Sequence, residues 1–144
     1  MGSTRLLAIG LLVLSGCGTA DVLEAAYPTV EAARSDGAFA RGWLPEWVPS
    51  KAIDLREVHS LDTNESALVF RLAERTAWVP ATCSRVESGQ FIPSRFTPDQ
   101  WPQDSELARS YSVYRCPSDA AGLPVFVAEQ RDGLGGLHWR VADL

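Results

Sequence analysis

Histidine and cysteine are scarce in this chain. Its 144 residues hold two histidines, His59 and His138, and three cysteines, with no Cys-x-x-Cys. No pair has metal-ligand spacing, so a zinc cluster of the familiar kinds is excluded and no cofactor is expected. Long apolar runs are missing too. The stretch Leu6 to Leu14 is nine residues long, whereas a spanning helix needs about 20, and no later stretch is longer. Positive charge is in short supply: thirteen basic side chains face eighteen acidic ones, and Lys51 is the single lysine. A net charge of −5 argues against nucleic acid as a partner and against direct binding to anionic headgroups. Gly133 to Gly136 is glycine-rich but lacks the following lysine and helix of a phosphate loop. Internal repeats and low-complexity tracts are absent.

What is present begins at the N-terminus. Arg5 heads the apolar run, which closes on Leu14-Ser15-Gly16-Cys17. This order of basic start, apolar centre, small residues and cysteine resembles a bacterial lipoprotein signal peptide ending in a lipobox. The resemblance implies removal of residues 1–16, a lipid on the Cys17 sulfur, and residues 17–26 as lipidated cysteine and short tether. It places the chain on the periplasmic side of a membrane. Gly18, in place of an aspartate after the cysteine, implies the outer membrane rather than the inner.

Residues 17–144 amount to one domain's worth of chain. With Cys17 acylated, Cys83 and Cys116 remain as an even pair in an oxidising compartment, which reads as a disulfide; two buried free thiols are the alternative.

Residues 27–144 read as a single globular α+β domain of about five mainly antiparallel strands. A short helical N-terminal segment packs on one face. Thr29 is placed to cap a helix that stops at Asp36-Gly37. Trp43-Leu44-Pro45-Glu46-Trp47-Val48-Pro49 carries two prolines, which forbid a long helix or an internal strand, and four large apolar side chains that demand burial. Ile53–Leu61 and Ala67–Ala73 read as strands joined by the turn residues Asp62-Thr63-Asn64-Glu65. Leu68, Phe70 and Leu72 share one face. Glu57 and His59 break the pattern of the first strand, which suggests a bulge or an open edge. Residues 75–108 are rich in proline and irregular. Ser110–Cys116, Leu123–Gln130 and Leu137–Val141 complete the strands, the last two joined by a loop at Asp132–Gly136.

Two places hold candidate chemistry. Glu57 and His59 are two apart on a strand, hence on one face, with Asp62 in the adjoining turn; an acid beside a histidine can move protons. The plainer reading is a hydrogen-bonded strand face, since no nucleophile in a motif accompanies them. Among the tryptophans, Trp43, Trp47, Trp78 and Trp139 read as core. Trp101 sits among Asp99, Gln100, Gln103 and Asp104, and is the partner-contact candidate, with core as the equal alternative.

The segment Arg41 to Pro49, followed by Ile53, His59 and Leu61-Asp62-Thr63-Asn64, resembles a pattern found in small bacterial membrane-associated and lipoprotein sequences without assigned function. That resemblance implies a shared fold and transfers no catalytic residue. The chain therefore reads as a lipid-anchored extracytoplasmic binding or structural module with an envelope protein as partner, and not as an enzyme. Two alternatives stay open: an inhibitor of a cell-wall hydrolase, and a small envelope enzyme using Glu57, His59 and Asp62.

Overall fold

The computed structural model describes residues 21–87 and 89–142. Cys17 and the signal-peptide reading of residues 1–16 lie outside the described residues. Seven strands and two short helices follow one another as β1 (Val22–Thr29), α1 (Val30–Asp36), β2 (Ala52–Ser60), β3 (Ser66–Leu72), β4 (Ser84–Arg85), α2 (Asp104–Ser110), β5 (Tyr111–Cys116), β6 (Val125–Gln130) and β7 (Gly135–Arg140). All strands join one antiparallel sheet in the order β1-β2-β3-β7-β6-β5-β4. Two meanders, β1-β2-β3 and β5-β6-β7, thus meet where β3 pairs with β7.

This corrects the expected fold class. Among the described residues there are seven strands rather than about five, and the two helices, of seven residues each, are too short to form a layer over a face. Residues 22–26, expected as tether, instead join Tyr27–Thr29 in β1 on the sheet edge. Glu24, Ala25 and Ala26 have little strand propensity; their backbone is held by pairing with β2, from Val22 against Ser60 to Thr29 against Ile53. Pro28 is tolerated because β1 is an edge strand. Only the next seven residues are helical. Thr29 Oγ1 accepts from the Ala32 N–H at 3.1 Å, and Gly37 closes α1 in the left-handed region at φ 83°.

Both faces of the sheet are covered. On one, Leu55, Leu68, Phe70, Leu72 and Val127 pack under Val30 and Ala33 of α1, the segment from Ala38 to Val48, and Trp78. On the other, Val58, Ala67, Val69, Phe126, Leu137 and Trp139 pack under Leu107 of α2, Phe91, Phe96 and Trp101. This is why β3 is buried along its whole length except at Arg71. Leu68, Phe70 and Leu72 share the first face as their spacing requires.

The irregular stretch 75–108 contains β4 and the first five residues of α2, neither of which was anticipated. α2 carries Asp104 and Glu106 in its first turn and Arg109 in its last, the arrangement that suits a helix dipole. Gly135 and Gly136, expected in the hairpin loop, belong to β7. Gly136 passes under the ring edges of Phe70 and Trp78, where a Cβ would overlap both. Glu65, in the β2–β3 turn, ties distant segments together. It is 1% exposed and accepts from the Arg95 guanidinium, from Thr63 Oγ1 at 2.8 Å and from the Ala142 N–H at 3.0 Å. Burial acts to raise its pKa, but these donors together outweigh burial and hold the carboxyl below its ordinary value.

Candidate functional site

The register shift in β2 decides which side chains meet. Ile53 pairs with Arg71 and Arg56 with Val69, so one extra residue lies between them, and Asp54 takes φ 53°. Beyond this bulge Leu55, Glu57 and His59 point to the face that carries Leu68. His59 lies across from Leu23 on β1 and Ser66 on β3. Glu57 is opposite Leu68, which is opposite His138 on β7. Glu57, His59 and His138 are thereby carried onto the face that holds Leu55, Leu68 and Phe70.

Glu57 and His59 are 1% and 3% exposed. His59 Nδ1–H donates to the Glu57 carboxylate at 2.9 and 3.1 Å. Burial pushes the Glu57 carboxyl above its ordinary value, and the hydrogen bond from His59 counters it only in part. With the proton on Nδ1, the His59 Nε2 is left as an acceptor; it is buried and has no partner. The His59 ring stacks on Trp43, centroids 4.1 Å apart, and the Arg41 guanidinium lies 3.9 Å from the centre of the same indole. Arg41 is held in turn by Asp36, which also accepts from the Tyr27 hydroxyl at 2.8 Å. Asp62 is exposed in the turn, and no hydrogen bond joins it to Glu57 or His59. The structure therefore brings together two members of the expected trio and leaves the third apart.

A cavity of about 680 Å³ lies beside this pair. One wall is the Arg41–Trp47 segment. The other is the loop Pro117–Ala121 with the Cys83–Cys116 disulfide, and the floor includes Val125, His138 and Arg140. Trp47 stacks on Trp78, centroids 5.5 Å apart, and turns its ring against His138 at 5.4 Å. Burial, with the Arg140 charge adding to it, pushes the His138 imidazole down to about 3, so it is neutral. Arg140 donates to Ser66 Oγ at 2.8 Å and to Asp119 at 3.3 Å. The other oxygen of Asp119 accepts from the Ala121 and Leu123 N–H groups, which shapes the loop.

Trp43 and Trp47, read as core, are half-buried and line this cavity, while Trp78 and Trp139 are core as expected. Trp101 is on the opposite face. It is half-buried, sits edge-on to Trp139 at 5.7 Å, and lines a separate cavity of about 690 Å³ with Phe91 and Asp104. Cys83 and Cys116 are joined. Sequence reasoning did not single out His138, Arg140 or Asp119. Nothing local marks them, because they converge only through the β3–β7 pairing and the fold of the 117–124 loop.

Chemically the arrangement can hold a ligand against two indoles and offer it a cation and an anion. Among the described residues no serine, threonine or cysteine is hydrogen-bonded to His59, the arrangement that would activate a nucleophile there. Nor do those residues include a group of three or more His, Cys, Asp or Glu placed to hold a metal.

Compared with known proteins, residues 21–71 match the family model of the YbbD head domain, a small bacterial domain. The match runs from β1 to Arg71 in β3 and includes Trp43, Trp47, Glu57 and His59. No curated protein and no solved structure matches the chain.

Proposed function

We propose that the chain is a lipid-anchored binding module of the bacterial envelope, and that the cavity between Trp47 and the 117–121 loop receives its ligand. One observation carries this reading: an apolar-walled cavity of about 680 Å³ into which a small number of polar groups converge, above all Arg140 and Asp119. Ligand sites have this size and make-up. The envelope location is supported by the similarity of residues 21–71 to a small bacterial domain and by a disulfide of the kind that persists in oxidising compartments. The lipid on Cys17 and the outer membrane rest on the lipobox resemblance at Leu14–Cys17 and on Gly18. No helix among the described residues is long and apolar enough to cross a membrane.

Mass analysis of the chain made in a bacterium should show loss of residues 1–16 and an added lipid mass, both abolished by Cys17→Ala. Recovery of the intact soluble chain overturns the anchor. A photocrosslinking amino acid in place of Ala121, at the cavity wall, should capture an adduct in the native envelope that the same group in place of Arg75 does not. Equal capture at both places overturns the site.

A second reading is favoured by one feature: His59, bonded to Glu57, lines the same cavity. In an envelope enzyme His59 Nε2 would take a proton from water or substrate. Against it, Nε2 is buried without a partner, and the His59 ring is stacked on Trp43. In the binding reading the pair performs no catalysis; it is a buried polar prop that seats Trp43. His59→Ala with folding intact and loss of a cellular activity that His59→Phe fails to rescue supports the enzyme.

A further inference from the structure

The cavity opens at one particular rim of the sheet. The Leu61 N–H donates to the Asp21 carbonyl at 2.7 Å, so the start of β1 and the β2–β3 turn lie side by side. At the same rim stand the end of β7 at Arg140, the start of β6 at Val125 and the 117–121 loop. The opposite rim holds Leu72 and Leu134, joined by a hydrogen bond. Leu61, Asn64, Asp119, Ala121 and Arg140 all line the cavity. Cys17 stands four residues before Asp21, and an extended chain of that length spans at most about 14 Å. A lipid on Cys17 therefore brings this rim, and the cavity in it, up to the membrane surface.

Two further features belong to the same rim. Leu61 is 53% exposed and Leu23, across from His59 on β1, is 44% exposed. Large apolar side chains are tolerated beside an anchor because they can enter the interface between water and acyl chains. The cavity also carries charges of both signs at its floor and loop, Arg140 and Asp119, 3.3 Å apart. A zwitterionic headgroup complements that pair, its phosphate toward Arg140 and its ammonium toward Asp119. An anionic headgroup would instead offer Asp119 no cation of its own, on a chain with net negative charge.

We infer that the ligand is a zwitterionic phospholipid of the membrane that anchors the chain, with one acyl chain lying along Trp47, Leu44 and the disulfide. Leu23 and Leu61 rest in the interface beside it. The inference deepens the proposed function and rests on its anchor.

The test uses the full lipidated protein reconstituted into phosphatidylethanolamine vesicles whose acyl chains are brominated in mid-chain, a contact-range quencher of tryptophan. Flotation of the vesicles reads the anchor, and quenching reads the cavity. The expected result is flotation with quenched fluorescence. Trp47→Phe should remove most of the quenched part, whereas Trp101→Phe, on the other face of the sheet, should leave it. Ala121→Trp, at an exposed position on the cavity wall, should block entry and abolish quenching of the original tryptophans while flotation persists. Floating protein without quenching overturns the inference but spares the anchor; this is also the outcome if the protein's own Cys17 acyl chain fills the cavity. Protein that does not float overturns the anchor, and with it the membrane as the source of ligand. Equal quenching by brominated phosphatidylglycerol overturns the choice of a zwitterionic headgroup.

Discussion

His59 stacks on Trp43 with ring centroids 4.1 Å apart and planes inclined by 27°. The contact joins the sheet to the proline-bounded segment that covers it. Glu57 fixes the imidazole from below and Arg41 covers the same indole. The wall of the cavity is thus held by a column of four side chains, so changes beneath Trp43 should be felt at the ligand site.

Glu57→Gln tests the base of that column. Burial raises the Glu57 pKa above the unfolded value, so between the two values the folded chain holds the proton more tightly. Stability is present below about pH 4 and is lost as pH rises through the raised value. Glutamine keeps a hydrogen bond to His59 without a charge to bury. Relative to the parent, its melting temperature should therefore rise as pH is raised from about 4. Parallel curves would show that Glu57 does not change its protonation on unfolding.

His138 acts in the opposite direction. Folded, it stays neutral down to about 3; unfolded, it takes a proton near 6.5. The unfolded chain therefore binds more protons in that window, and stability should decline as pH falls from about 6.5 toward 3. His138→Gln should flatten this decline in thermal melts. A variant as acid-sensitive as the parent would place the titrating group elsewhere.

The disulfide closes 33 residues between Cys83 and Cys116. Loop-closure entropy alone assigns about 3–4 kcal/mol to a ring of that size. The double substitution Cys83→Ala with Cys116→Ala should lower stability by about that amount in urea titrations. A change under about 1 kcal/mol would mean that the unfolded chain is already compact between these positions.

Phe70 and Gly136 are two sides of one fit. Phe70 is 1% exposed, and its ring edge occupies the space above Gly136. Phe70→Ala should cost about 3–5 kcal/mol through the cavity it leaves. Gly136→Ala, an otherwise mild change in a strand, should cost about 1–3 kcal/mol through overpacking. Combining the two should give less than the sum, because truncating Phe70 makes room for part of the methyl group.

Trp101 offers a contrast on the other face. Its edge-on contact with Trp139 belongs to an aromatic pair worth about 0.5–1.5 kcal/mol beyond area burial. Trp101→Ala should lower the melting temperature measurably. An unchanged value would return Trp101 to the surface as a partner contact.

Much of this structure is written in short stretches of chain. The alternation of Leu68, Phe70 and Leu72, the turn at 62–65, the cap at Thr29 and the stop at Gly37 are each decided by neighbours a few residues away, and each is legible in the sequence. The two cysteines left after Cys17 could likewise be paired by elimination. The tertiary structure decided the rest. Glu24, Ala25 and Ala26 became strand because β2 offered them a ladder. Glu57 and His59 became a buried pair because a bulge at Asp54 set their face and Trp43 closed over it. Arg140 met Asp119 because β7 lies beside β3 and β6 at the centre of the sheet. Periodicity and capping act over a few residues and leave a mark in composition, whereas strand order and the covering of a face depend on contacts between segments that the sequence keeps far apart.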